Sequence, residues 1–204
     1  PDLSGILDIL AVFRPGELLP MDLYDEPEEV QRLCRELYEA WMKIYWRFAE
    51  YLNMKEFGYT DWSSLWSKKP SYVIQEDFSY MISQDMFEEF VYPNLHRFCN
   101  DLDRTLYHMD GPGEIKHASK IAGLKKLGAV QWVPGAENPT SEHYPELHRL
   151  FEAAGKNLQI PGQGLDKMLL VAEQLDCPNC LHHTMIRCGE DEKEKNLAYL
   201  KKLN

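Results

Sequence analysis

The residues that could carry chemistry are concentrated in one short segment, Tyr107-His-Met-Asp-Gly-Pro-Gly113. An apolar run ends on His108, and Asp110 follows two residues later. Because residues i and i+2 of a strand point to the same face, we expect the imidazole and the carboxylate to lie side by side. Such a pair can bind a metal ion or act as a general acid and base. The alternative is a structural turn in which Asp110 caps and His108 hydrogen-bonds the backbone.

Two acidic residues and a cysteine extend this candidate site. Glu76 and Asp77 close an earlier apolar run, and Cys188 follows the last one. A thiolate at Cys188 could join His108 and Asp110 around a zinc ion. The competing interpretation makes the acids helix-capping or solvated turn residues and the cysteine a buried, inert thiol.

Other polar residues lie in or near the remaining apolar runs. Gln131 and Gln159 could project inward and hydrogen-bond a substrate, and Asp77 is a third candidate for substrate binding. His182 and His183 are adjacent, so at most one of them points inward. The motif Cys177-Pro-Asn-Cys180 has no second C-x-x-C to complete a zinc ribbon, which favours turn cysteines without a chemical role.

The elements that must position these residues alternate in a regular way. Apolar runs of strand type occur at 72–75, 105–108, 129–133, 157–160 and 181–186, and helical patterns occur at 83–98, 115–127, 141–154, 165–175 and 191–203. Pro93 should kink the first of these helices. Before them, a long amphipathic helix is expected from Asp25 to Leu52, with Pro27 in its first turn.

This alternation predicts an α/β fold with a parallel sheet, in which function lies at the carboxyl ends of the strands. We expect one domain over residues 1–204, made of a helical lead-in and loop at 1–70 and successive βα units at 71–204. An eight-stranded (β/α)8 TIM barrel takes about 250 residues, so about five units make an incomplete barrel. Either the other strands precede this segment, or the chain is a half-barrel that covers its open edge by forming a homodimer.

Charge and composition exclude several classes of function. The formal charge is −11 and the isoelectric point is near 5.1, which argues against nucleic acid or an anionic membrane as the main partner. We find no run of about 20 apolar residues and no basic segment before an apolar stretch at the N-terminus, so neither a membrane span nor a signal peptide is expected. Five scattered cysteines fit a reducing cytoplasm better than a disulfide framework.

Taken together, several motifs resemble the uroporphyrinogen decarboxylase superfamily. They are Phe87-Glu-Glu-Phe-Val-Tyr-Pro93 after the Glu76-Asp77 pair, His108 at the next strand end, and a last strand that leads to a Cys-Gly turn. The segment 107–159, with His-Met-Asp-Gly-Pro-Gly and Gln-Trp-Val-Pro-Gly, is similar to a branch described as trimethylamine-corrinoid-protein-like. The resemblance runs from about Asp22 onward and implies further N-terminal strands.

The resemblance implies an enzyme of the methyltransferase type that acts on a methylated small molecule with a corrinoid partner protein. In that family, zinc is held by a His-x-Cys and a later Cys. Here His108 takes the histidine position, Asp110 replaces the first cysteine, Cys188 falls near the later one, and Glu76 or Asp77 would be a fourth ligand. Such an oxygen, nitrogen and sulfur set still binds zinc, although less softly than two thiolates do.

Two other functions stay open at this stage. The first is a metal-free lyase of the decarboxylase type, in which His108 and Asp110 transfer protons. Against it, Arg187-Cys-Gly189 replaces the Gly-His-Gly of the decarboxylases. The second is a truncated barrel that only binds a ligand or a partner.

Overall fold

The computed structural model describes residues 1–161, 164–175, 180–183 and 189–201. Ten α-helices are found in these residues: α1 Ile6–Phe13, α2 Leu18–Asp25, α3 Pro27–Tyr51, α4 Met54–Phe57, α5 Gln84–Met86, α6 Tyr92–Asp101, α7 Ala118–Ala122, α8 Pro145–Ala153, α9 Leu165–Glu173 and α10 Glu190–Leu200. The strands are β1 Tyr59–Thr60, β2 Trp66–Ser67, β3 Ser71–Ile74, β4 Arg104–Asp110, β5 Ala129–Val133, β6 Asn157–Pro161 and β7 Cys180–His183. Short 3₁₀ helices span Asp77–Met81, Pro112–His117 and Ser141–His143.

Strands β3 to β7 form one parallel sheet, and their spatial order is the same as their order in the chain. Strands β1 and β2 form a separate antiparallel pair. A helix follows each of the strands β3 to β6, so the predicted α/β fold with a parallel sheet is confirmed. Each strand is connected to its next neighbour in the same direction across the sheet. Connections of this kind are right-handed, and they place the connecting helices on one face of the sheet.

The two faces of the sheet differ in chemistry because strand residues alternate between them. On the helix-covered face, the core is made of large apolar side chains that are fully or almost fully buried: Tyr107, Met109, Val130, Trp132, Leu158 and Ile160. The opposite face carries the polar residues His108, Gln131 and Gln159. It is covered by residues 61–65, which connect β1 to β2.

Helix α3 has the predicted extent but buries only part of the predicted apolar side. The helical spacing predicts an apolar side made of Val30, Leu33, Leu37, Trp41, Ile44, Phe48 and Leu52. Val30 and Trp41 are buried, whereas Ile44, Phe48 and Leu52 are exposed. The buried residues are Val30, Cys34, Tyr38, Trp41, Tyr45 and Ala49. Tyr45, which the pattern did not place on this side, packs edge-on against Tyr72 of β3, with 5.9 Å between the ring centroids, and its hydroxyl donates to the backbone carbonyl of Ser71.

Two predicted helices have a different form in the structure, and one predicted strand is described only in part. The helix predicted for 115–127 is a 3₁₀ helix followed by the short α7, because the chain turns after Gly123. The helix predicted for 83–98 is interrupted by a π-helical turn at Phe87–Val91 just before Pro93, where an irregularity was expected. The strand predicted for 181–186 is observed as β7, and 184–186 lie outside the described residues.

Within the described ranges, no helix is both long and apolar enough to cross a membrane.

Candidate functional site

The candidate site lies at the carboxyl ends of β4, β5 and β6. Strand β4 extends through both His108 and Asp110, so the two side chains share a face of the sheet, as the spacing predicts. His108 is almost buried, with 9% of its surface exposed, whereas Asp110 is half-buried. In parallel α/β folds this end of the strands is where ligands bind.

A row of hydrogen-bonded side chains crosses the sheet at His108. The strand register pairs His108 with Gln131 and Gln131 with Gln159, so the three side chains lie next to one another on one face. His108 Nδ1 is hydrogen-bonded to Gln131 Oε1, and Gln131 Nε2 donates to Gln159 Oε1 over 2.8 Å. Gln159 Nε2 donates to the backbone carbonyl of Ser63 over 3.0 Å. We call these four groups the amide ladder.

Trp62 bounds the site on the side away from the sheet. Its ring meets the imidazole of His108 edge-on, with the centroids 4.9 Å apart. Trp62 and Ser63 both belong to the connection between β1 and β2, so one segment supplies the aromatic wall and the last acceptor of the amide ladder. His108 Nε2 has no hydrogen-bond partner among the described residues and is the nitrogen available to a ligand.

Of the two acidic residues after β3, Asp77 is the one whose pKa is influenced by His108 and Asp110. Partial burial and the nearby carboxylate of Asp8 raise the pKa of Asp77 to about 6. His108 opposes this shift, and the carboxylate of Asp110 adds to it. Asp77 therefore changes its protonation near neutral pH, beside the imidazole and a second carboxylate.

Glu76 is fully buried and holds the start of helix α1. Its two carboxylate oxygens accept from the backbone N–H groups of Ile6, at 2.8 Å, and Leu7, at 3.0 Å. Asp8 of the same helix accepts in return from the N–H groups of Asp77 and Phe78. Both oxygens of Glu76 are thus engaged by a helix start, and the structure does not bring this residue to His108 as the sequence suggested.

A buried acid that the sequence did not single out supports the turn after β4. Glu114 accepts from the hydroxyl of Tyr107 over 2.9 Å and from the backbone N–H of Asp110 over 3.3 Å. Burial, more than any other cause, raises the pKa of Glu114 well above its usual range. The only sequence signal was an acid at the start of a helix, which is too common to indicate a function.

The glycines of this turn make room for a ring. A Cβ on Gly113 would lie 2.6 Å from ring carbons of Tyr80, and one on Gly111 would lie 3.0 Å from the same ring. Gly111 also has a φ of +85°, a conformation that side-chain-bearing residues rarely adopt. The Gly-Pro-Gly sequence therefore lets the turn after Asp110 pack directly against Tyr80.

Some predicted residues cannot be placed. Cys188 and Cys177 lie outside the described residues, and the side chains of His182 and His183 are not described. In the part of the chain that the structure describes, no group of three or more histidine, cysteine or acidic side chains is arranged to hold a metal ion. A cavity of about 490 Å³ lies at the amino ends of the strands, between Leu65, Arg104 and Asn157, and contains none of the predicted site residues.

The chain matches no protein-family model, and no curated protein or solved structure is significantly similar to it.

Proposed function

We propose that this chain is the C-terminal part of a (β/α)8 barrel enzyme of the uroporphyrinogen decarboxylase type. The support from the fold is the strand order, since β3 to β7 follow one another without reversal. Doubly wound sheets instead reverse direction at a switch point. Five successive parallel strands with helices on one face are what consecutive units of a barrel contain.

The proposed activity is methyl transfer from a methylated small molecule, with a corrinoid protein as partner. The observation that carries it is that His108 is held through Nδ1 by Gln131 and leaves Nε2 without a partner among the described residues, on the same face of β4 as Asp110. A histidine anchored through its other nitrogen is the usual form of a metal ligand in proteins. The residue types also fit zinc, which accepts imidazole nitrogen and carboxylate oxygen.

His108 and Asp110 are the described residues that would hold the zinc, with Cys188 as the sulfur ligand. Glu76 is left out of this set, because ligation would cost both of its hydrogen bonds to α1. Bound zinc would lower the pKa of a thiol or a water molecule and make it a nucleophile. The protein's own part is to orient the imidazole through Gln131 and to exclude water on the Trp62 side.

A metal-free lyase is the second candidate, and the pKa of Asp77 favours it. Decarboxylation leaves a carbanion that must take up a proton. An acid with a pKa of about 6, next to His108 and Asp110, can deliver that proton at neutral pH.

Zinc binding separates the two candidates. We would reconstitute the purified chain with zinc, remove excess metal by dialysis, and measure the zinc content by mass spectrometry. The wild-type chain should retain about one zinc ion. His108→Ala and Asp110→Ala should lose it. His96→Ala is the matched control, because His96 is an exposed histidine of α6 that contacts Asn100.

Methyl transfer is then followed with a methylated amine as donor and cob(I)alamin as acceptor, through the absorbance change when the cobalt–carbon bond forms and the demethylated amine is released. Loss of this reaction in His108→Ala but not in His96→Ala supports the proposal. If the wild-type chain keeps no zinc and transfers no methyl group, the methyltransferase assignment is wrong and the lyase becomes the leading candidate.

A further inference from the structure

We infer that the backbone carbonyl of Ser63 sets the tautomer of His108, acting through Gln159 and Gln131 as positioning residues. The inference rests on the proposed function only in giving His108 a chemical role. The tautomer itself is defined without substrate, partner or metal, so it can be measured separately.

The backbone carbonyl of Ser63 is the one group of the amide ladder whose role is fixed by its chemistry. A backbone carbonyl oxygen can only accept a hydrogen bond. The Ser63 carbonyl, 3.0 Å from the amide of Gln159, must therefore face its NH₂ group. The reverse orientation would place two oxygens against each other in a buried setting, since Gln159 is 2% and Ser63 is 3% exposed.

The orientation of Gln159 then determines its neighbour. With its NH₂ group turned to Ser63, Gln159 presents Oε1 to Gln131, and Gln131 must donate from its own NH₂ group over 2.8 Å. Gln131 therefore presents Oε1 to His108. A side-chain amide has one donor end and one acceptor end, so the orientation of each glutamine fixes the orientation of the next hydrogen bond in the ladder.

His108 is the last member and receives an acceptor. The proton of the neutral imidazole must be on Nδ1, and the lone pair must be on Nε2. Asp110 lies on the same face of β4 as His108, at the mouth of the site. A segment on the far side of Gln159 thus decides which nitrogen of His108 can bind a metal ion or accept a proton.

The same geometry links the ladder to the segment that carries Trp62. Trp62 contacts the His108 ring, and Ser63 is the next residue. A displacement of this segment would remove the aromatic wall and the anchor of the ladder together. Gln159 would then be free to turn, and His108 would lose its preference for the Nδ1–H form.

The test is nitrogen NMR of the purified chain labelled with ¹⁵N-histidine, recorded at a pH at which His108 is neutral. The His108 signals are assigned by their loss in His108→Gln. Their ¹⁵N shifts and two-bond couplings show which ring nitrogen carries the proton. The wild-type chain should show the Nδ1–H form as the dominant tautomer, and a dominant Nε2–H form would overturn the inference without any further variant.

The decisive substitution is Gln159→Leu, because Gln159 does not touch His108. It should lower the ratio of the Nδ1–H to the Nε2–H tautomer by roughly fivefold, the effect of losing one neutral hydrogen bond. If Gln159→Leu does not fold, Gln159→Met takes its place with less change of shape. An unchanged tautomer ratio in a folded variant would refute the inference.

Two controls separate this role from a structural one. Ser63→Ala keeps the carbonyl and should leave the tautomer unchanged, whereas a change would mean that the hydroxyl is the anchor and the inference is wrong. Asn94→Leu removes a buried side-chain amide of α6 that donates to the carbonyl of Phe90 and lies outside the amide ladder, and should also leave the ratio unchanged. A shift of equal size in Asn94→Leu would show a general packing effect and overturn the inference.

Discussion

Among the described glycines, Gly5 makes the closest approach to the backbone of another segment. A Cβ at this position would lie 2.3 Å from the backbone oxygen of Gln75, 2.6 Å from Asp8 Oδ2 and 2.8 Å from Glu76 Oε2. Ordinary carbon–oxygen contacts are about 3.3 Å or longer. Gly5→Ala therefore requires the start of α1 to move away from the end of β3 by about 1 Å.

That displacement would break the two hydrogen bonds that dock α1. The distances from Glu76 to the N–H groups of Ile6 and Leu7 are 2.8 and 3.0 Å, and an added 1 Å puts both beyond hydrogen-bonding range. Leaving a buried donor or acceptor unpaired costs about 1–3 kcal/mol. We therefore expect Gly5→Ala to reduce the free energy of unfolding by about 2–6 kcal/mol, a large part of the roughly 5–15 kcal/mol typical of a domain.

Urea unfolding measures this loss. Tryptophan fluorescence is informative here, because the indole N–H of the buried Trp41 donates to the carbonyl of Ser4, next to the mutated residue. Circular dichroism reports the remainder of the fold. Gly16→Ala is the control: Gly16 has a φ of +66° and nothing within 4 Å of its Cβ position, so it bears only a conformational penalty of about 1–2 kcal/mol. If Gly5→Ala is no more destabilising than Gly16→Ala, the close approach of α1 to β3 is wrong.

Two further predictions concern buried and partly buried charges. Lys156 is 6% exposed and donates to the carbonyls of Leu124 and Leu127, so Lys156→Met should reduce the unfolding free energy by about 2–4 kcal/mol in urea, and the exposed Lys126→Met should not. Asp77 has a pKa raised to about 6, so the folded state binds its proton more tightly than the unfolded state does, and wild-type stability should fall as the pH rises from about 4 to 6. Asp77→Asn should make this pH dependence weaker, which urea unfolding between about pH 4 and 6 measures. The expected change in the free energy of unfolding is only a few tenths of a kcal/mol, because solvent screens the exposed part of the side chain. An equally steep slope in the variant would show that Asp77 does not titrate there.

The alternation of strands and helices could be predicted because it depends on local patterns. The strands that cross the buried sheet are short apolar runs, and each is separated from the next by a polar turn and a helical period. The face that α3 buries could not be predicted in the same way. Its sequence has two apolar stripes that share Trp41, and the contacts of Tyr45 with Tyr72 and Ser71, on another element, decide between them.

In the candidate site, too, local features could be predicted from the sequence and features that depend on distant residues could not. The shared face of His108 and Asp110 follows from a spacing of two residues in one strand. The roles of Glu76 and Ser63 depend on partners 70 and 96 residues away in the chain, which no local pattern reveals. Glu76 and Asp77 are adjacent and predict one acidic pair, but adjacent residues point in different directions. Glu76 accepts hydrogen bonds from the start of α1, whereas the pKa of Asp77 is influenced by His108.

The composition of the amide ladder is itself an argument for function. Strands of parallel sheets are usually rich in branched aliphatic side chains, which pack without needing partners. Here three neighbouring strands instead place a histidine and two glutamines in one row. Each must be hydrogen-bonded in a definite direction, and a network that loses one member leaves the others unpaired. Such a row contributes less to stability than aliphatic packing would, so its presence is best explained by the need to hold His108 in one orientation and one tautomer at the mouth of the sheet.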